Sequence, residues 1–103
     1  MYARVPTFKV SPSRMDEVIH YFEDVTTPRL QKFQGFAGGE LLVDRQTGMF
    51  RVVAHWESRE SLDASREGVK PLRADVVREF GGEIISVEEF EVAVKVPAPA
   101  MMH

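Results

Sequence analysis

The chain has no cysteine, one tryptophan, two tyrosines and three histidines among its 103 residues. Without cysteine there is no disulfide, no thiol nucleophile and no thiolate metal site. His20, His55 and His103 offer no i, i+4 pair of the kind that holds a metal on a helix, so no metal is expected. No run approaches the roughly 18 apolar residues of a membrane span, which argues against a membrane partner. Basic residues do not predominate. Thirteen Lys and Arg against 16 Asp and Glu leave a net charge of −3, without the basic patch of a nucleic-acid binder. Met1 to Val5 lacks the basic-then-apolar start of a signal peptide, so the cytoplasm is the expected location. Ser58, Ser61 and Ser65 lack a GxSxG elbow, and Gly38-Gly39 and Gly81-Gly82 are too short for phosphate loops.

What is present is an ordinary globular composition, 44% hydrophobic and 28% charged, at the length of one domain. Residues 2–10 read as a strand through Tyr2, Val5, Phe8 and Val10, with an irregularity expected at Pro6, which cannot donate to a ladder. Ser11-Pro12 is a helix start, with Ser as N-cap. Met15, Val18, Ile19, Phe22 and Val25 then form an apolar stripe. Pro28 predicts a kink, Leu30 and Phe33 resume the stripe, and Gly35 stops the helix. Phe36 to Val43 is a second strand, and the loop Asp44 to Gly48 signals a hairpin into a third, Met49 to Trp56. Alternation puts Phe50, Val52, Ala54 and Trp56 on one face, and Met49, Arg51, Val53 and His55 on the other.

Ser58 caps a second helical region carrying Leu62, Val69, Leu72, Val76, Val77 and Phe80, broken in two near Gly68 and Pro71. Residues 83–94 read as the last strand. The domain is expected to span 1–95, and 96–103 to form a loose tail. A faint repeat relates residues 36–43 to 80–87, each following a helix and opening a strand. The order β-α-β-β-α-β predicts a ferredoxin-like α+β fold, a four-stranded antiparallel sheet with helices on one face. The last strand, with Ile84, Ile85, Val87, Phe90, Val92 and Val94, is apolar on both sides. The bare face of the sheet is therefore expected to bury against a second copy.

These segments resemble the antibiotic-biosynthesis-monooxygenase-like domain of the dimeric α/β barrel superfamily. The residues that carry the likeness are Gly35-Phe36 with Gly38, Leu41 to Arg45 with Gly48, His55 to Ser58, and Ser86 to Glu91, over about residues 2–94. The resemblance implies a homodimer with a pocket in each subunit between sheet and helices. Some members oxidise polycyclic aromatic phenols with O₂ and no cofactor, others degrade haem, and many have no known activity. Trp56 matches the pocket Trp of both active groups. Quinone-forming relatives place polar groups such as Asn on the Trp-bearing strand, where Phe50, Val52 and Ala54 stand here. Haem-degrading relatives have a His ligand on the following helix, where this chain has Ser61, Ser65 and Arg66.

Two readings of Trp56 stand: a core residue, or the wall of a pocket for a flat apolar ligand. On the second, the substrate-binding residues would be Trp56, Phe50, Val52, Phe22, Tyr21 and Phe36, with Tyr21 or Arg51 as a polar contact. His55 faces away from Trp56, His20 lies on a solvated face, and His103 is in the tail. Glu88 and Glu89 point to opposite sides of one strand, so they form no carboxylate pair; an ion pair with Arg4 or Arg51 is their expected role. The function expected is a cofactor-independent monooxygenase acting on an aromatic small molecule. The alternatives are a non-catalytic small-molecule-binding or stress-associated module, and a structural dimer without a pocket. No catalytic residue is assigned, and no cofactor is called for.

Overall fold

The computed structural model describes residues 1–100. Four strands, β1 (Tyr2–Lys9), β2 (Phe36–Val43), β3 (Met49–Trp56) and β4 (Glu83–Glu91), form one antiparallel sheet in the order β2-β3-β1-β4. With the helices between β1 and β2 and between β3 and β4, this is the ferredoxin-like α+β fold. β4 stops at Glu91, three residues short of the expected end, and Val92 N donates to Met1 O at 2.9 Å. Beyond it, Val94 and Val96 lie exposed, and residues 97–100 have no regular structure. His103 and the two methionines before it lie outside the described residues.

Pro6 sits in an inner strand, and the sheet yields around it. Pairing with β3 holds at Arg4↔Ala54 and Thr7↔Arg51 and lapses at Val5 and Pro6. Pairing with β4 continues through Pro6↔Val87 and shifts register at Thr7/Phe8. A missing N–H on one side and a bulge on the other are how a central strand accommodates proline.

The first helical region departs from its simple stripe. Pro12–Arg14 is a 3₁₀ turn, and Ser11 Oγ pairs with Ser13 Oγ at 3.0 Å instead of capping a backbone N–H. Next come α1 (Met15–Tyr21), a π-helical turn (Phe22–Thr26) and α2 (Thr27–Leu30). Pro28 has no N–H to offer Asp24 O, four residues back. The chain widens ahead of it, and Thr27 N–H reaches Phe22 O, five residues back. The extra residue advances the buried stripe, so Thr26 is buried and Val25, expected inside, is exposed. The helix ends at Leu30, before Phe33, which nonetheless packs inward from a turn.

The second helical region breaks where Gly68 and Pro71 suggest, into α3 (Arg59–Ser65) and α4 (Lys70–Phe80). Ser58 caps α3, accepting from Ser61 N at 3.1 Å, while Ser61 Oγ accepts from Ser58 N at 3.1 Å, a complete capping box. Gly35 sits directly over this cap. Its φ is +81°, and a Cβ there would lie 2.3 Å from Ser61 Cβ, so the approach of β2 to α3 requires glycine.

The core is two clusters under one sheet. Phe8 and Phe50, cross-strand partners stacked at 4.8 Å, gather Val10, Met15, Val18, Val76 and Phe80. Trp56 gathers Leu30, Ala54, Leu62, Val69 and Leu72. The opposite face of the sheet has no helix over it.

Candidate functional site

Where the two clusters meet they do not seal. A cavity of about 50 Å³ runs between sheet and helices. Its floor is Phe8, Phe50, Val52, Ala54 and Trp56 from β1 and β3. Tyr21, Phe22 and Leu30 from the first helical region and Leu72, Val76 and Phe80 from α4 form the walls. Its polar groups are few: Arg4, Tyr21, Thr26, Arg73 and the indole of Trp56. Few polar groups in an apolar cleft is the usual make-up of a small-molecule site.

Trp56 is fully buried. Phe36 and Phe33 meet it edge-on, with ring centroids at 5.5 and 6.1 Å, and the Arg4 guanidinium lies 5.7 Å from its ring centre. It is thus core residue and cavity wall at once. Its Nε1–H is buried without an acceptor, alone among the buried side-chain polar atoms of the described residues. A buried donor left unmade costs about 1–3 kcal/mol, so its occurrence beside a cavity calls for a reason.

Arg4 enters from the inward parity of β1. It is 3% exposed. Nε donates to Glu89 Oε2 at 3.0 Å, Nη1 to Ser65 Oγ at 2.9 Å and Nη2 to Leu62 O at 2.8 Å. The last two contacts place a cation on the C-terminal turn of α3, where carbonyls lack helical partners. Arg66 Nη2 takes the other oxygen of Glu89, at 2.6 Å, and Asp63 at 3.1 Å. Burial works to raise the Glu89 carboxyl, but hydrogen bonds from Arg66 and Arg4 outweigh it and hold it below the usual glutamate range.

Arg73 lines the same cavity from α4, half-buried, and makes no ion pair or side-chain hydrogen bond among the described residues. Burial first, then the nearby charge of Arg4, push its guanidinium below the usual arginine value.

Of the residues named from sequence, Trp56, Phe50, Val52, Phe22 and Tyr21 line the cavity; Phe36 does not, and touches it only through Trp56. Tyr21 is half-buried, edge-on to Phe80 at 5.4 Å. Arg51 is no contact of the cavity. It lies on the far face of the sheet, and its Nε donates to Thr7 Oγ1 at 3.0 Å. His55 is on that face too, its Nδ1 3.4 Å from Met1 Sδ, and His20 is exposed. Ser61 is engaged in the cap, Ser65 with Arg4 and Arg66 with Glu89. Sequence reading missed Arg73, and it named Arg4 only as an ion-pair partner of Glu88 or Glu89, a role the structure gives it with Glu89, and not as a lining residue. Their signals were there: Arg4 shares inward parity with Tyr2 and Phe8, and Arg73 lies four residues after Val69 and three before Val76, on the apolar stripe.

Residues 1–70 match the family described as antibiotic biosynthesis monooxygenase. The chain belongs to that family. The uncharacterized protein Rv2557 of Mycobacterium tuberculosis is 41% identical over 93 residues, which are 90% of this chain and 41% of that protein; the chain thus spans about two-fifths of the length of this curated relative. Among solved structures, the heme-degrader MhuD of M. tuberculosis, with two hemes bound in its active site, superposes with a TM-score of 0.68 at 24% identity, covering 94% of this chain and all of that one. A mutant of SnoaB, a cofactor-independent oxygenase from Streptomyces nogalater, superposes with a TM-score of 0.68 at 19% identity, covering 94% of this chain and 97% of that one. Within the family the fold is thus a monooxygenase-like one. No helix among the described residues is long and apolar enough to cross a membrane.

Proposed function

We propose that the cavity beside Trp56 binds a compact aromatic molecule and that the protein oxidises it with O₂ without a cofactor. The observation that carries this reading is the apolar cavity between sheet and helices, walled by the fully buried Trp56 and flanked by the cations Arg4 and Arg73. In such chemistry a phenolate or enolate gives its electrons to O₂. One oxygen atom ends in the quinone carbonyl and the other in water. The protein's part is to exclude solvent, orient the ring and stabilise the anion. The cations of Arg4 and Arg73 supply that stabilisation, since a nearby positive charge lowers the pKa of a bound phenol.

The size of the cavity narrows the substrate. About 50 Å³ is well below the roughly 300–1,000 Å³ of drug-sized sites, so a single ring is favoured over a polycycle. Haem does not fit this site. The cavity is too small, and none of its lining residues is His, Cys or Met.

A second reading is supported by the lining's lack of any His, Asp or Glu to act as base: a binding module without turnover. Oxygen-electrode traces with a monocyclic phenol separate the two. One O₂ consumed per quinone formed, lost in Trp56→Ala with the fold intact, supports the enzyme. Saturable binding without uptake supports the module. No binding at all would contradict both.

We also propose a homodimer. The open face of the sheet carries Leu42 and Phe90, 48% and 51% exposed, with Val5 and Val53 among the charged Glu40, Arg51 and Glu88, a mixed surface whose apolar side chains a second copy would cover.

A further inference from the structure

We infer that the molecule held beside Trp56 carries a carboxylate, paired to Arg73 and turned toward Arg4. This rests on the reading of the cavity as a ligand site and adds the charge of what enters it.

Three observations converge on one wall. Arg73 faces the cavity with no anionic partner among the described residues. The nearest candidate, Glu89, is committed: Oε2 accepts from Arg4 at 3.0 Å and Oε1 from Arg66 at 2.6 Å. Arg4 itself uses three N–H groups on Glu89, Ser65 and Leu62, and a guanidinium has five. The lining of the cavity thus includes two arginines and no acidic side chain.

A half-buried cation without a direct ion pair is costly, and burial and Arg4 hold Arg73 below its usual pKa although the charge of Glu89 works against them. A ligand anion relieves both. A planar guanidinium matches a carboxylate through two parallel hydrogen bonds. A phosphate would satisfy the same donors, but its second charge would have to be desolvated against the apolar floor of Phe50, Val52 and Ala54. The ligand that fits is a monoanion on a compact apolar body.

Benzoate and its uncharged counterpart benzamide test this, read by fluorescence of the single tryptophan, with inorganic phosphate at matched ionic strength as control. The expected result is saturable quenching by benzoate at least about tenfold tighter than by benzamide, since a hydrogen bond to a charged group contributes roughly 1.5–3 kcal/mol. Phosphate should neither quench nor compete. Arg73→Gln should remove the preference for benzoate over benzamide, and Arg73→Lys should keep most of it. Equal affinity for the two ligands, or a preference that survives Arg73→Gln, overturns the carboxylate and leaves the cavity reading standing. Competition by phosphate overturns the monoanion. Failure of both aromatic probes to bind overturns the inference together with the site itself.

Discussion

Glu89 shows how one side chain can couple the sheet, a helix and the candidate site. It joins β4 to Arg4 on β1 and to Arg66 just after α3, and through Arg4 it fixes the guanidinium beside Trp56. A buried ion pair is weak evidence of net stability, but removing one partner leaves the other charge uncompensated. Glu89→Gln should therefore destabilise, with the loss tempered because Glu89 is 29% exposed while Arg4 is only 3%. The sign with pH follows from the carboxyl being held below its usual value. Its contribution is fully present above the unfolded pKa of about 4.3 and drains away as pH falls through the lower folded value. Asp75, held low by hydrogen bonds from Arg29 and Arg78, acts in the same direction. Thermal melts from pH 6 to 3 should fall on the acid side for the wild type, and the limb should be shallower for Glu89→Gln. Parallel curves would mean that Glu89 is not a linked group.

Among the elements, the contact of Gly35, just before β2, with the cap of α3 is tightly specified. Gly35 has a positive φ and no room for a methyl group beside Ser61. Gly35→Ala should lower stability by more than about 1 kcal/mol, or roughly 4–8 °C in Tm, by differential scanning calorimetry. Ser58→Ala, which removes the cap acceptor alone, should cost about 1 kcal/mol. An unchanged Tm for Gly35→Ala would show that the approach is looser than described. Gly35 could be read from sequence as a helix stop, because glycine just past a helix is a local signal. Its contact with Ser61 could not, because that distance exists only once β2 and α3 are packed. The same division runs through the first helix. Pro28 announces a disturbance, but whether the chain kinks or widens is decided by packing. The π turn then shifts the buried face from Val25 to Thr26.

At the scale of the molecule, the order of elements and the inward face of β3 were legible because alternation in β3 and the two helical stripes are local patterns. The candidate site was half legible. Its apolar floor follows from parity, whereas Arg4 and Arg73 were passed over as lining residues because arginines default to the surface. Their burial depends on the end of α3 and on Glu89, 85 residues from Arg4. The exposed face with Leu42 and Phe90 gives the next expectation: light scattering at micromolar concentration should return about twice 11.7 kDa. A folded monomer would contradict the dimer. The central claim, that the cavity is a ligand site, is tested most directly at the one indole N–H in the chain. In a ¹⁵N-correlated NMR spectrum, titration with a monocyclic phenol or benzoate should shift the Trp56 indole cross-peak saturably as an aromatic ring fills the cavity, together with signals of Val52 and Leu72. If that cross-peak stays fixed up to the solubility limit of every aromatic probe, Trp56 is core alone and the functional reading of the cavity fails.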